Sequence, residues 1–164
     1  MRSGKRYVEY LLPDEHLYSL GVYAQTCAHI EYYICSAICI IEGLGEEDDR
    51  WYKRHDELRV KRPKQLASEI RKSLLHFKDD DSWKRYFEDL SSWLSSEENV
   101  DARHLAIHGR HYRVGKDIWI NAQPKDFRVR ETQCFSEDTQ AALNIVDSLL
   151  RNLVRFVNES DSKG

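Results

Sequence analysis

An all-α domain is the fold the sequence predicts: a four- to five-helix up-down bundle with a small antiparallel β-hairpin or three-stranded insertion before the last helix. Three observations predict it. Apolar residues recur at spacings of three and four across four long stretches, which is the period of a helix with one buried face. That period gives way to strict alternation only between Tyr112 and Arg130, which is the period of a strand. The chain has 164 residues, 41% hydrophobic and 32% charged, with no internal repeat, low-complexity tract or linker. It is therefore read as one globular domain spanning 1–164, large enough for a full core and too apolar to be disordered.

The elements follow in order. Pro13 precedes a first helix read from Asp14 to Glu42, and Gly43-Leu44-Gly45 ends it. Its apolar seam runs Leu20, Ala24, Cys27, Glu31, Ile34, Ile38, Ile41. Glu31 is the anomaly in that seam, because a carboxylate on a packing face needs a partner. Two readings stay open: Glu31 positions an Arg or His of a site, or it turns out to solvent. Leu44 to Arg62 reads as an acidic turn leading into a basic, aromatic loop. A second helix is expected from Pro63 to Phe77, with Ala67, Ile70, Leu74 and Phe77 inward. A third runs from Ser82 to Ser95, capped by Asp81 or Ser82, with Trp83, Phe87, Leu90 and Leu94 inward. A short helix from Val100 to His108 ends at Gly109. Tyr112–Val114 and Ile118–Ile120 flank a Gly115-Lys116 turn as a hairpin, and Phe127–Arg130 could add a third strand. The last helix starts at Ser136 with the seam Ala142, Val146, Leu149, Leu153, Phe156, and its tail frays from Asn158.

Bulk charge excludes little. The net charge is -3, so no global basic character advertises nucleic acid. Locally the balance differs. Arg50 to Lys72 holds nine Lys/Arg against three Asp/Glu, and Asp101 to Arg130 holds seven against three. Such runs could form a basic face for phosphates or simply solvated surface. Cys27, Cys35 and Cys39 fall in one apolar helix and no Cys-x-x-Cys pair occurs, which points to reduced, buried thiols in a cytoplasmic protein. The N-terminus lacks the apolar core of a secretory signal, and the longest apolar run, Tyr32 to Ile41, is too short for a membrane span.

The chemistry concentrates in VDARHLAIHGRHYR, residues 100–113. Arg103 and His108 lie five positions apart. The same spacing recurs at Arg50/His55 and Arg71/His76, so it does not by itself single out a site. Only Arg103 is followed by a polar residue, His104, and only His108 is followed by Gly at a helix-to-strand junction. Cleaving RNA through its own 2′-hydroxyl needs a base, an acid and a cation at the phosphate. Histidine can move the protons near neutral pH, and arginine offers a planar fork of donors to phosphate oxygens. Proton transfer is worth about 10²–10⁴ in rate, and oriented charge about 10²–10³ more. No metal or other cofactor is needed for this chemistry.

This RHLAIHG segment resembles the signature of the HEPN superfamily: Arg, a polar residue, a short spacer, then His, often followed by Gly. The long first helix bearing a Glu, the middle helices, the motif helix, the small β insertion and the closing helix also resemble that family. The resemblance implies a metal-independent endoribonuclease acting on single-stranded RNA as a homodimer, with two motifs across a shared cleft. It also implies the alternative of an inactive protein-interaction or nucleotide-binding module. An antitoxin or other regulatory protein is a compatible partner, but Arg110 stands two residues after His108, where one toxin branch has Tyr. On this reading Arg103 binds the scissile phosphate, His108 is general acid/base, and His104 tunes or orients. Glu31 supports them from behind, and Arg110, His111, Arg113 and Lys116 track the RNA backbone.

Geometry limits the motif. On a regular helix Arg103 and His108 stand about 140° apart, so a distorted helix end or a partner helix must complete the site. His104, His108 and His111 have spacings that could hold zinc if the helix continued, although Gly109 should stop it and Leu105 stands where a metalloprotease has Glu. The bland alternative is a salt-bridged helix end, with Arg103 and His108 tied to Glu31 or Asp101.

Overall fold

The computed structural model describes residues 12–78, 81–97, 103, 106, 110–122, 130–134 and 136–161. It is a mostly helical bundle with a small antiparallel sheet before the closing helix. Helix α1, Asp14–Ile41, is 28 residues long. It starts behind Pro13, with Asp14 and Glu15 at its positive end. It stops at Gly43, whose φ of +76° lets the Leu44 N–H reach back to the Cys39 carbonyl at 2.9 Å.

Helix α2, Asp49–Arg59, occupies the stretch expected to be loop, which corrects that expectation. Its charged surface hid a short apolar stripe. Trp51, His55 and Leu58, at spacings of four and three, are its buried residues. Asp48 caps it by accepting from the Arg50 N–H at 2.8 Å. Helix α3, Pro63–Ser73, begins with proline in its first turn, and Gln65 accepts from the Arg62 N–H at 2.8 Å. It tightens into a 3₁₀ turn over Leu74–His76, the last part of the expected helix. Helix α4, Ser82–Ser95, is capped by Asp81, one of the two caps the sequence offers. Arg103 and Ala106 are helical, while 100–102, 104, 105 and 107–109 lie outside the described residues.

Strands β1, Arg110–Val114, and β2, Asp117–Ala122, pair antiparallel about Gly115, which has a φ of +63°. Glycine takes that backbone without the Cβ clash other residues meet. Strand β3, Arg130–Cys134, pairs with β2 in the register Ile118↔Cys134 to Ala122↔Arg130. Of the third strand expected at 127–130, only Arg130 is among the described residues. Helix α5, Ser136–Asp161, carries on past Asn158, where fraying was expected.

Helix α1 packs chiefly on α5, and α3 chiefly on α4. Ile30, Ile34, Ile38, Leu58, Leu66, Ile70, Phe87, Leu90, Leu94 and Leu153 form the fully buried centre. The α1 seam is rotated from the expected one: Tyr23 and Ile30 are buried, whereas Leu20, Ala24 and Ile41 are only partly so. Cys27, Cys35 and Cys39 are buried free thiols. No helix among the described residues is long and apolar enough to cross a membrane.

In the basic stretch from Arg50 to Lys72, Arg50, Arg54, Arg59, Lys61 and Lys72 lie against carboxylates. Arg54 donates to both oxygens of Glu42, at 2.9 and 2.7 Å, and to Glu69 at 2.9 Å. Lys72 and Lys61 approach the other Glu69 oxygen at 2.9 and 3.5 Å. Arg50 pairs with Asp48, and Arg59 with Asp56. Burial alone would raise the pKa of Glu69. The hydrogen bonds from Lys72 and Arg54, with Lys61 nearby, outweigh it and hold the carboxyl at about 2. This network ties the end of α1 to α2 and α3. It leaves less open positive charge than the residue count suggests.

Candidate functional site

The site is built on one stripe of α1. His16, Tyr23, Cys27 and Glu31 follow one another at spacings of seven, four and four, so they share a face of the helix. Arg103 reaches that face. Its Nη2 donates to Glu31 Oε1, and the two form an ion pair. Its charge also acts on Cys27 and Tyr23, one and two turns back along α1. The Arg103 side chain is 14% exposed and that of Glu31 36%. Glu31, which broke the apolar seam, thus sits at the edge of the packed face. There a carboxylate keeps some water and still meets a cation.

Arg103 is not saturated by this contact. Its Nε is buried and has no hydrogen-bond partner among the described residues. An unpaired buried donor of this kind costs about 1–3 kcal/mol. The neighbouring groups offer little relief. Burial raises the Cys27 thiol, an effect the Arg103 charge and the Tyr23 hydrogen bond oppose without overcoming. Burial likewise raises the Tyr23 hydroxyl. Both stay protonated near neutral pH, so neither adds a negative charge beside Arg103.

A second contact joins the start of α1 to the sheet. His16 Nε2 and His111 Nδ1 lie 2.9 Å apart, with ring centroids separated by 5.1 Å. One ring must donate and the other accept, so at least one is neutral. Burial, and then the nearness of His111, lowers the pKa of His16. His16 drew no attention in the sequence because nothing near it marks a site. Its partner is ninety-five residues away.

The remaining expected site residues divide. His104 and His108 lie outside the described residues. Arg110 opens β1, opposite Asn121. Arg113 lies on the same strand, and Lys116 lies in the hairpin turn; both are exposed. His111 faces His16 rather than open solvent. Among the described residues no group of three His, Cys, Asp or Glu side chains converges to hold a metal.

Two grooves flank this face. One, of about 470 Å³, has Gln25, His29, Glu31, Tyr32, Tyr33 and Arg59 on its walls. The other, of about 670 Å³ between α1 and α5, carries Asp14, Glu15 and Asp147. Set against known proteins, the chain matches no family model, no curated protein and no solved structure.

Proposed function

We propose that the chain is a HEPN-like, metal-independent endoribonuclease that cleaves single-stranded RNA by 2′-hydroxyl attack. Two copies would form the cleft, and the site of action would be cytoplasmic. Arg103 would bind the scissile phosphate and stabilise the charge that grows on its oxygens. His108 would be general acid/base, with His104 orienting it. His111, Arg110, Arg113 and Lys116 would follow the RNA backbone.

One observation carries this reading. A guanidinium from the motif segment is aimed by the Glu31 carboxylate, while its buried Nε has no partner among the described residues. A phosphate oxygen is an acceptor that can use such a donor, and charge-assisted hydrogen bonds of this type are about twice as strong as neutral ones. Glu31 would then restrict the rotamers of Arg103 before substrate arrives, which lowers the entropy cost of positioning.

A second reading has its own support. Arg103 is largely covered and bound to Glu31, as in a structural ion pair of a silent interaction module. The experiment that separates them is cleavage of labelled single-stranded RNA in EDTA by wild type, Arg103→Ala and His108→Ala. The nuclease reading expects cleavage by wild type, with 2′,3′-cyclic phosphate ends, and loss in both variants. Equal cleavage by all three would mean a contaminating nuclease and end the proposal.

A further inference from the structure

We infer that the groove beside Glu31 seats one unpaired nucleobase of the RNA, stacked on Tyr32 with Arg59 at the adjoining phosphate. This rests on the nuclease reading above and names how that site would choose its substrate. Glu31 belongs to both places: it holds Arg103 and it lines the groove. A nucleotide in the groove would therefore adjoin the one gripped by Arg103.

The walls suit a base. Tyr32 is 45% exposed, and Tyr33 lies beside it with its ring edge-on at 5.7 Å. Stacking on an aromatic ring is how single strands are held without a fixed sequence. A stacking platform works best when its ring is held still, and Tyr32 is held from behind. Buried His55 meets it edge-on at 4.9 Å, stacks on Trp51 at 4.5 Å, and lies 3.3 Å from the Ser36 hydroxyl. Gln25 supplies an amide that can both donate to and accept from a base edge. The volume of about 470 Å³ falls within the roughly 300–1,000 Å³ of small-ligand sites.

Charge distinguishes this groove from its neighbour. Arg59 lines it beside the carboxylate of Glu31, which is paired with Arg103, whereas the larger groove presents Asp14, Glu15 and Asp147, which repel phosphate. Arg59 is bound only loosely, to Asp56 at 3.7 Å with both side chains mostly exposed. Such a pair is easily exchanged for a phosphate. A duplex keeps its bases stacked inside and could not present one to Tyr32, so the inferred ligand is single-stranded.

The test uses the full chain with His108→Ala, so that binding is read without turnover. A fluorescein-labelled single-stranded RNA octamer is titrated by anisotropy at two salt concentrations, with its annealed duplex as comparison. Tyr32→Ala is expected to weaken binding about fivefold or more, and Tyr32→Phe, which keeps the stacking face, to bind as the parent does. Arg59→Ala should lower the slope of log affinity against log salt by about one. Tyr18→Ala, in the acidic groove, should change nothing. If Tyr32→Ala proves less stable on melting, the Arg59→Ala slope and the duplex comparison decide. A parent that binds single strands, with Tyr32→Ala and Arg59→Ala equal to it, overturns the groove and leaves the Arg103 reading standing. Equal affinity for the duplex also overturns it. A parent that binds no RNA, together with a wild type that cleaves none, removes both.

Discussion

Helix α1 meets an arginine at each end of its buried run, and the two are treated differently. Arg54 spends Nε and Nη2 on Glu42 and Glu69, and Glu69 in turn is shared with Lys61 and Lys72. Among the described residues Arg103 meets the Glu31 carboxylate through Nη2 and keeps a buried Nε without a partner. Both are charged pairs at a helix surface. The first has the saturation of a structural clamp, in which each group answers several others. The second leaves a buried donor unmatched among the described residues. Local charge density therefore misleads: Arg54, in the more basic stretch, is the more fully matched of the two.

Each arginine can be tested by altering a carboxylate it meets. The largest effect on stability should come from Glu69→Ala, which leaves Arg54 to Glu42 and takes from Lys61 and Lys72 the carboxylate they share at a largely buried position. A loss of about 3 kcal/mol in urea unfolding is expected, with RNA cleavage by the folded fraction unchanged. A loss under about 1 kcal/mol would mean that the clamp is ornamental.

Acid should reveal the same network. The Glu69 carboxyl is held at about 2, below its ordinary 4.5. The stability it contributes is complete above the unfolded value and declines as pH falls from about 4.5 towards 2. Thermal melts over that window should fall more steeply for wild type than for Glu69→Gln. Parallel curves would contradict the pairing.

At the other arginine, Glu31→Gln keeps the shape and removes the charge. Unfolding free energy should change by about 1 kcal/mol or less, because Glu31 is partly solvated. Cleavage should fall about tenfold, the equivalent of one weakened charge-assisted hydrogen bond. A large stability loss with unaltered cleavage would make Arg103 a second clamp.

The smallest effect belongs to the imidazole pair. The pKa of His16 is lowered by burial and by His111. The unfolded chain therefore takes up a proton first as pH drops through the ordinary imidazole value near 6.5. Stability is complete above that pH and declines below it. His16→Phe should flatten the fall in melting temperature between pH 7 and pH 5. An unchanged slope would show that the contact does not hold the sheet to α1.

How much of this was legible depended on where each signal lay. Local signals read well. Pro13 and the Gly43 turn bound α1, Asp81 caps α4, and Gly115 turns the hairpin, each through backbone chemistry carried by one or two residues. Helix α2 was missed because only Trp51, His55 and Leu58 mark its inner face amid charges. Of the strand expected at Phe127–Arg130, Arg130 opens β3 and the rest lies outside the described residues. Glu31 could be seen as an anomaly because a carboxylate interrupts an apolar seam, although the true face is rotated towards Tyr23 and Ile30. The Arg54 clamp and the His16–His111 pair could not be seen. Their members are far apart in sequence, and no pattern in one strip of chain encodes a partner in another.

The most direct test of the central claim follows Arg103 through two readouts at once. Cleavage of single-stranded RNA in EDTA and unfolding free energy are measured for wild type, Arg103→Ala and Arg54→Ala. The account predicts that Arg103→Ala loses at least about 100-fold in cleavage with a modest change in stability, while Arg54→Ala loses stability and its folded fraction still cleaves. A wild type that cleaves no RNA, with Arg103→Ala as destabilised as Arg54→Ala, would contradict it.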